Sequence, residues 1–142
     1  LFPLLQHNAP ELNIIKLQAA LGDRRALIGT CCARRDGKQT PTFEGVTHVV
    51  PGGVIPTLRI DDLALPVCDL IYLDIEGWEL DALRGGVDTL QRCRPVIVLE
   101  VNSNVELMGR TVEEFRTEVA SYGYQQADRI LGDEIFVPKV AA

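Results

Sequence analysis

Residues 69–80 constrain the fold of this chain more than any other stretch of its sequence. They begin with an apolar run that contains isoleucine and tyrosine, which is the pattern of a β-strand buried on both faces. The run ends in two carboxylates and a glycine, and the sequence then turns helical at Trp78 until Gly85 and Gly86 stop the helix. A strand, an acidic turn and a helix in this order predict half of a βαβ unit.

Acidic residues stand where the predicted strands end. Asp74 and Glu76 follow the first of these strands, and Glu100 lies near the end of a second apolar run. In open α/β sheets, ligands bind beyond the carboxyl ends of the strands, so we expect these acids to form the functional site. Such carboxylates can hold a hard cation such as Mg²⁺, or one of them can act as a general base. The sequence leaves both alternatives open. We interpret Glu79 and Asp81 as acids that the dipole of the following helix favours.

Further strands and a helix are predicted on both sides of this stretch. The predicted strands cover residues 13–21, 26–30, 46–50, 94–101, 124–127 and 134–137. A capping box at Thr111 and Glu114 begins the helix. Strands that alternate with helices indicate an α/β fold with a mostly parallel sheet. The last two strands lie too close in sequence for a helical crossover, so we expect them to be antiparallel.

Composition argues against several classes of function. The 142 residues, of which 46% are hydrophobic, are enough for one globular core. The net charge is −6 without a large basic cluster, which argues against a nucleic-acid partner because phosphate binding needs clustered cations. There is no apolar run of about 18 residues, so we expect no membrane span. The four cysteines show no metal or redox spacing, which favours reduced thiols in a cytoplasmic protein.

Three segments together resemble the FkbM family of S-adenosylmethionine-dependent methyltransferases. They are residues 60–63, 70–86 and 94–101. The most specific features are an Asp-hydrophobic-Glu-Gly turn, a helix that ends in glycine, and an Arg-Pro strand that ends in glutamate. The resemblance implies a class I methyltransferase-like, Rossmann-like fold whose last strand is antiparallel. It also implies methyl transfer from S-adenosylmethionine to a small-molecule or glycan acceptor, at a hydroxyl of a sugar, a polyketide or another small molecule.

The same resemblance implies roles for individual residues. Three acids match the active-site region of the family: Asp74, Glu76 and Glu100. Three residues match the region that lies beside the adenine of the cofactor: Ala19, Ala20 and Asp23.

The sequence departs from that family at its start. The glycine-rich loop that cradles the cofactor and the acid that holds its ribose would both precede Leu1, and the 142 residues contain neither. We therefore interpret residues 1–142 as a single, partial methyltransferase domain that lacks the first strands. We expect it to be inactive in isolation and to need an N-terminal segment or a partner chain. The missing first strand would leave an unpaired apolar edge beside residues 70–74. The alternative is a non-catalytic α/β interaction module derived from the same fold.

Overall fold

The computed structural model of the chain describes residues 13–33, 39–40, 46–101, 105 and 109–140. Within these ranges it shows a mixed α/β architecture with two β-sheets, which confirms the predicted α/β class. The strands are β1 (Ala20–Leu21), β2 (Leu27–Ala33), β3 (Gln39–Thr40), β4 (Val46–Pro51), β5 (Ile55–Leu58), β6 (Leu70–Leu73), β7 (Val96–Glu100), β8 (Tyr124–Ile130) and β9 (Asp133–Pro138). The helices are α1 (Glu79–Arg84), α2 (Val87–Cys93) and α3 (Val112–Ser121), and a 3-10 helix spans Ile60–Leu63. None of these helices is long and apolar enough to cross a membrane.

The first sheet has the order β1–β5–β2–β3, and β4 also pairs with β2. β1 is parallel to β5, whereas β2 is antiparallel to each of its neighbours. The strand predicted over residues 13–21 is reduced to the two residues of β1. Ile14, Ile15 and Leu17 are exposed, Ile15 by 86%. β-branched residues form a strand where a neighbouring strand pairs with them, and no described strand lies against these residues.

The second sheet has the order β6–β7–β9–β8. β6 and β7 are parallel, with Leu70 opposite Val96. β9 is antiparallel to both β7 and β8, so the predicted antiparallel arrangement of the last two strands is confirmed. The prediction of a mostly parallel sheet is wrong, because antiparallel pairings outnumber parallel ones among the described strands of both sheets. Strands that are joined by short turns have to run antiparallel, and the sequence contains several such turns.

The helices cover one face of the second sheet. The buried core joins strand and helix residues: Ile71, Leu73, Leu80, Leu83, Leu90, Ile97, Leu99, Phe115, Val119 and Phe136. The other face of β6 carries Leu70 and Tyr72, which are 57% and 55% exposed. The prediction that this strand is buried on both faces is therefore wrong. Side chains alternate between the two faces of a strand, and the described helices pack against only one of them.

One edge of β6 has no strand beside it in the part of the chain that the structure describes. Among the strands that the structure describes, β6 pairs with β7 alone. The unpaired edge that the sequence analysis attributes to a missing first strand stays a prediction. The main-chain N–H and C=O groups along such an edge are able to pair with another strand.

Close contacts join the part of the chain around the first sheet to the helices of the second. The main-chain N–H of Asp61 donates to the carbonyl oxygen of Gly85 (2.9 Å), and Asp61 Oδ1 accepts from the N–H of Thr89 (2.9 Å) at the start of α2. A Cβ atom placed on Gly85 would overlap the carbonyl oxygen of Gly22. Gly85 has an ordinary φ of −76°, so the close approach of the two main chains, and not backbone conformation, requires glycine here.

Candidate functional site

A tight turn at residues 75–78 follows β6 and carries one of the predicted acids. The main-chain N–H of Trp78 donates to the carbonyl oxygen of Ile75, with an N···O distance of 3.4 Å. The two central residues, Glu76 and Gly77, have φ values of 60° and 95°. Positive φ at both central positions is characteristic of a type I′ turn. Glycine adopts this conformation without strain, whereas a left-handed glutamate needs support from its surroundings.

The side chain of Glu79 supports this turn. Glu79 is the first residue of α1 and is 0% exposed. Its Oε1 accepts hydrogen bonds from the N–H of Ile75 (3.0 Å) and from the N–H of Gly77 (3.2 Å). Its Oε2 is buried and has no hydrogen-bond partner in the described part of the chain. One carboxylate oxygen therefore holds the main chain on both sides of Glu76.

The sequence interpretation of Glu79 and Asp81 missed how both side chains are used. Glu79 turns back onto the preceding turn, and its burial raises the pKa of its carboxyl group, with a further contribution from the charge of Asp74. The hydrogen bonds from the main chain oppose this rise. Asp81 is also buried, and it accepts hydrogen bonds from Arg84 (3.2 Å) and Arg110 (3.3 Å). Neither acid lies on an exposed helix face.

The raised pKa of Glu79 predicts a pH dependence of stability. A folded state that binds a proton more tightly than the unfolded chain is most stable at low pH and loses that advantage as pH rises through the folded pKa. We therefore expect the Glu79 contribution to the free energy of unfolding to decrease above the ordinary glutamate pKa of 4.5. Glu79→Gln cannot titrate, so its stability relative to the wild type should increase from about pH 4 to about pH 7. Urea denaturation at each pH measures this difference, and a difference that does not change with pH would contradict the shift.

Three acids interact with Tyr72 at one end of β6 and β7. Its hydroxyl donates to Oδ2 of Asp133 (3.0 Å), and this hydrogen bond is the main cause of the raised pKa of Tyr72. The charges of Asp74 and Glu100 raise that pKa further. Asp74 and Glu100 stand at matching positions just beyond the last parallel pair of the two strands, and Asp133 lies opposite Glu100 on β9.

The three predicted catalytic acids are therefore placed differently. Asp74 is exposed and Glu100 is half-buried at the same end of the sheet. The charges of both acids raise the pKa of Tyr72. Glu76 lies further along, in the left-handed turn. Within the described residues, no group of three or more His, Cys, Asp or Glu side chains could hold a metal ion, and we assign no step to a cation.

A cavity of about 120 Å³ lies between the first sheet and Trp78. Asp23 lines it next to Gly22, whereas Ala19 and Ala20, the two other residues predicted beside the cofactor, do not. The indole Nε1 of Trp78 is buried and has no acceptor among the described residues. A Cβ atom on Gly22 would lie 3.6 Å from this nitrogen, so the glycine leaves room beside it. A buried donor without a described partner thus belongs to a residue that lines the cavity.

The amino-acid sequence was compared with models of known protein families. A family model described as the Methyltransferase FkbM domain matches residues 2–125 of the chain. The chain belongs to the FkbM methyltransferase family. The FkbM match spans both sheets as far as the beginning of β8, and it confirms the resemblance found in the sequence. No curated protein and no solved structure matches the chain.

Sequence reasoning missed three side chains that shape the site of this FkbM chain. They are Tyr72, Glu79 and Asp133. Tyr72 could have been found, because residues i and i+2 of a strand share a side and Asp74 is two residues beyond it. Asp133 gave no local signal, since it reaches the site only because β9 pairs with β7.

Proposed function

We propose that this chain acts in an S-adenosylmethionine-dependent O-methyltransferase whose acceptor is a hydroxyl group of a sugar, a polyketide or another small molecule. In this proposal residues 1–142 belong to one class I, Rossmann-like methyltransferase domain. The observation that carries it is the placement of Asp74 and Glu100 beyond the parallel pair β6–β7, in a chain of a methyltransferase family. Ligands of α/β proteins bind at that end of parallel strands. The free thiols of Cys68 and Cys93 support a cytoplasmic location.

Asp74 is the proposed general base. An alcohol oxygen is a poor nucleophile until its proton is taken. S-adenosylmethionine, when bound, supplies a methyl group on a positively charged sulfur. The carboxylate of Asp74 would take the proton of the acceptor hydroxyl, so that the oxygen could accept the methyl group, and the cofactor would leave as the neutral thioether S-adenosylhomocysteine. Asp74 is exposed and thus open to an acceptor, and Tyr72, which Asp133 holds by a hydrogen bond, stands on the same side of the strand.

The cavity beside Trp78 supports a site for the adenine of the cofactor. Its volume is about 120 Å³, and a cavity of about 150 Å³ in another protein binds benzene. The cavity is therefore of a size to hold part of one planar ring system. Trp78 lines the cavity, and its aromatic side chain would pack against such a ring system. Asp23 lines the same cavity, in keeping with its predicted place beside the adenine.

The 142-residue chain is expected to bind S-adenosylmethionine weakly. Its sequence has no glycine-rich cofactor loop, so the cavity at Asp23 and Trp78 offers only part of the contacts that a cofactor needs. We expect a dissociation constant above about 10 μM, which corresponds to a binding free energy weaker than about −7 kcal/mol. Isothermal titration calorimetry on the purified chain measures it, and tighter binding would contradict this expectation.

Methyl transfer itself is tested with the product of the full open reading frame that encodes these residues. The protein is incubated with S-adenosylmethionine labelled in its methyl group and with a panel of hydroxylated sugars and polyketides. Label in an acceptor, lost in Asp74→Asn, supports the proposal. Absence of label from every acceptor, together with no cofactor binding by this protein, overturns it.

A non-catalytic α/β interaction module is the second candidate function. The edge of β6 that no described strand covers, and the exposed side chains of Leu70 and Tyr72, favour it. Such an edge can accept a strand from another chain, whose main-chain hydrogen bonds then supply affinity. A stable complex formed through β6, in a protein that transfers no methyl group, would favour the module over the enzyme.

A further inference from the structure

We infer that Glu79 is the positioning residue of the proposed active site, because a single carboxylate oxygen fixes the peptide groups that follow both Asp74 and Glu76. The inference rests on the proposed function for its catalytic consequence. Its structural part can be tested separately.

The two hydrogen bonds of Glu79 fix the peptide groups that follow the two predicted catalytic acids. The N–H of Ile75 belongs to the peptide group that joins Ile75 to Asp74, and the N–H of Gly77 belongs to the one that joins Gly77 to Glu76. Each peptide group is planar, so fixing its N–H fixes the plane on the carboxyl side of the preceding residue. Oε1 of Glu79 accepts from both groups, at 3.0 and 3.2 Å. It therefore sets the main-chain direction at each of the two acids.

The turn depends on this support because its own hydrogen bond is long. The distance from the N–H nitrogen of Trp78 to the carbonyl oxygen of Ile75 is 3.4 Å, beyond the usual range for such bonds. Glu76 is also held at a φ of 60°, which a residue with a side chain adopts only when its surroundings impose it. The fully buried carboxylate of Glu79, bonded to the residues on both sides of Glu76, is part of these surroundings.

Two substitutions separate the acceptor from the charge. Glu79→Gln keeps a carbonyl oxygen in the place of Oε1, and its NH₂ group takes the place of Oε2, which has no hydrogen-bond partner in the described ranges. Glu79→Leu is similar in size and removes the acceptor. Glu113→Gln, at an exposed acid in the first turn of α3, is the matched control.

The first readout is amide hydrogen exchange, which needs no activity. In Glu79→Leu we expect the amides of Ile75 and Gly77 to exchange at least about tenfold faster than in the wild type. The amide of Phe115, which donates to the carbonyl oxygen of Thr111 in α3 (3.0 Å), should keep its rate. In Glu79→Gln all three rates should match the wild type. Unchanged exchange at Ile75 and Gly77 in the leucine variant would overturn the inference. If Glu79→Leu does not fold, Glu79→Asp, which withdraws the acceptor by one methylene group, is measured in its place.

The second readout is the division of the effect between kcat and KM. In the product of the full open reading frame, Glu79→Leu should lower kcat roughly tenfold or more and leave KM for S-adenosylmethionine unchanged, because small displacements of catalytic groups reduce the rate by up to roughly 10²-fold. Glu79→Gln and Glu113→Gln should retain the wild-type kcat. An equal loss in the glutamine and leucine variants would show that the charge matters and not the position, and would overturn the inference. If neither the variants nor the wild type transfers a methyl group or binds S-adenosylmethionine while the exchange results hold, the proposed function fails and the positioning role of Glu79 stands.

Discussion

Asp74→Asn is expected to lower kcat for methyl transfer by roughly 10²-fold or more, the usual scale for a lost general base. Asparagine keeps the shape of the side chain but cannot accept the proton of the acceptor hydroxyl. Cofactor affinity should change little, because the cavity proposed for the adenine is formed around Trp78 and Asp23 and not by Asp74. Initial rates with labelled S-adenosylmethionine, measured on the product of the full open reading frame, give kcat and KM for both proteins.

The control for this experiment has to be an acid outside the site. Glu79 does not qualify, because it is buried and bonded to the turn that follows Asp74. Glu113 is exposed on α3, so Glu113→Gln should leave kcat unchanged. If Asp74→Asn and Glu113→Gln had equal effects, the catalytic role of Asp74 would have to be abandoned.

Arg116→Ala is expected to lower the free energy of unfolding by about 3 kcal/mol, which corresponds to a fall in melting temperature of roughly 10 °C. Arg116 reaches from α3 to Glu134 on β9 and donates to both of its carboxylate oxygens, from Nε at 3.0 Å and from Nη2. Glu134 is 0% exposed. Removing the arginine would leave a buried carboxylate without its partner, which costs far more than the pair contributes when it is intact. Urea denaturation with linear extrapolation measures the change.

An exposed ion pair with the same chemistry provides the comparison. Arg25 donates to both carboxylate oxygens of Asp62, each at 3.0 Å, but its side chain lies in solvent. Exposed pairs contribute little to stability, so Arg25→Ala should shift the urea midpoint only slightly. Equal losses in the two variants would mean that burial of Glu134 is not the cause.

Local signals in the sequence predicted the elements around the proposed site correctly. The apolar run before Asp74 became β6, the glycine at position 77 took the left-handed turn, and the capping box at Thr111 began α3, where its hydroxyl accepts from the N–H of Glu114. Each of these features depends on residues that are close in sequence, and for that reason one sequence was enough to find them. The parallel pairing of β6 with β7 is one part of the predicted mostly parallel sheet that the structure shows.

Features that depend on distant contacts could not be predicted. The strand expected over residues 13–21 shortened because no described neighbour pairs with its exposed isoleucines. Asp133 reached Tyr72 only through the position of β9 between β7 and β8. The burial of Glu79 follows from how the turn and α1 fold over it, and an acid in a first helical turn looks the same in sequence whether it is buried or exposed.

The sequence predicted the position of Gly85 at the end of α1 correctly, but the structure shows a different reason for the glycine. The sequence indicates a glycine that stops α1, and the helix does end there. Its φ, however, is one that any residue adopts, and what excludes a side chain is the carbonyl oxygen of Gly22. The contact joins two segments that are more than sixty residues apart in the chain, and only the folded structure brings them together.

The contact between Gly22 and Gly85 matters for the proposed methyl transfer, because the groups involved would lie on both sheets. The cavity at Trp78 opens on the first sheet, and Asp74 stands at the end of the second. At the glycines the two parts meet main chain against main chain, and a main-chain contact cannot relax by changing a rotamer as side-chain packing can. Under the proposed function, side chains around the acceptor could vary, and with them the range of alcohols that fit, without a change in the glycine contact between the two sheets.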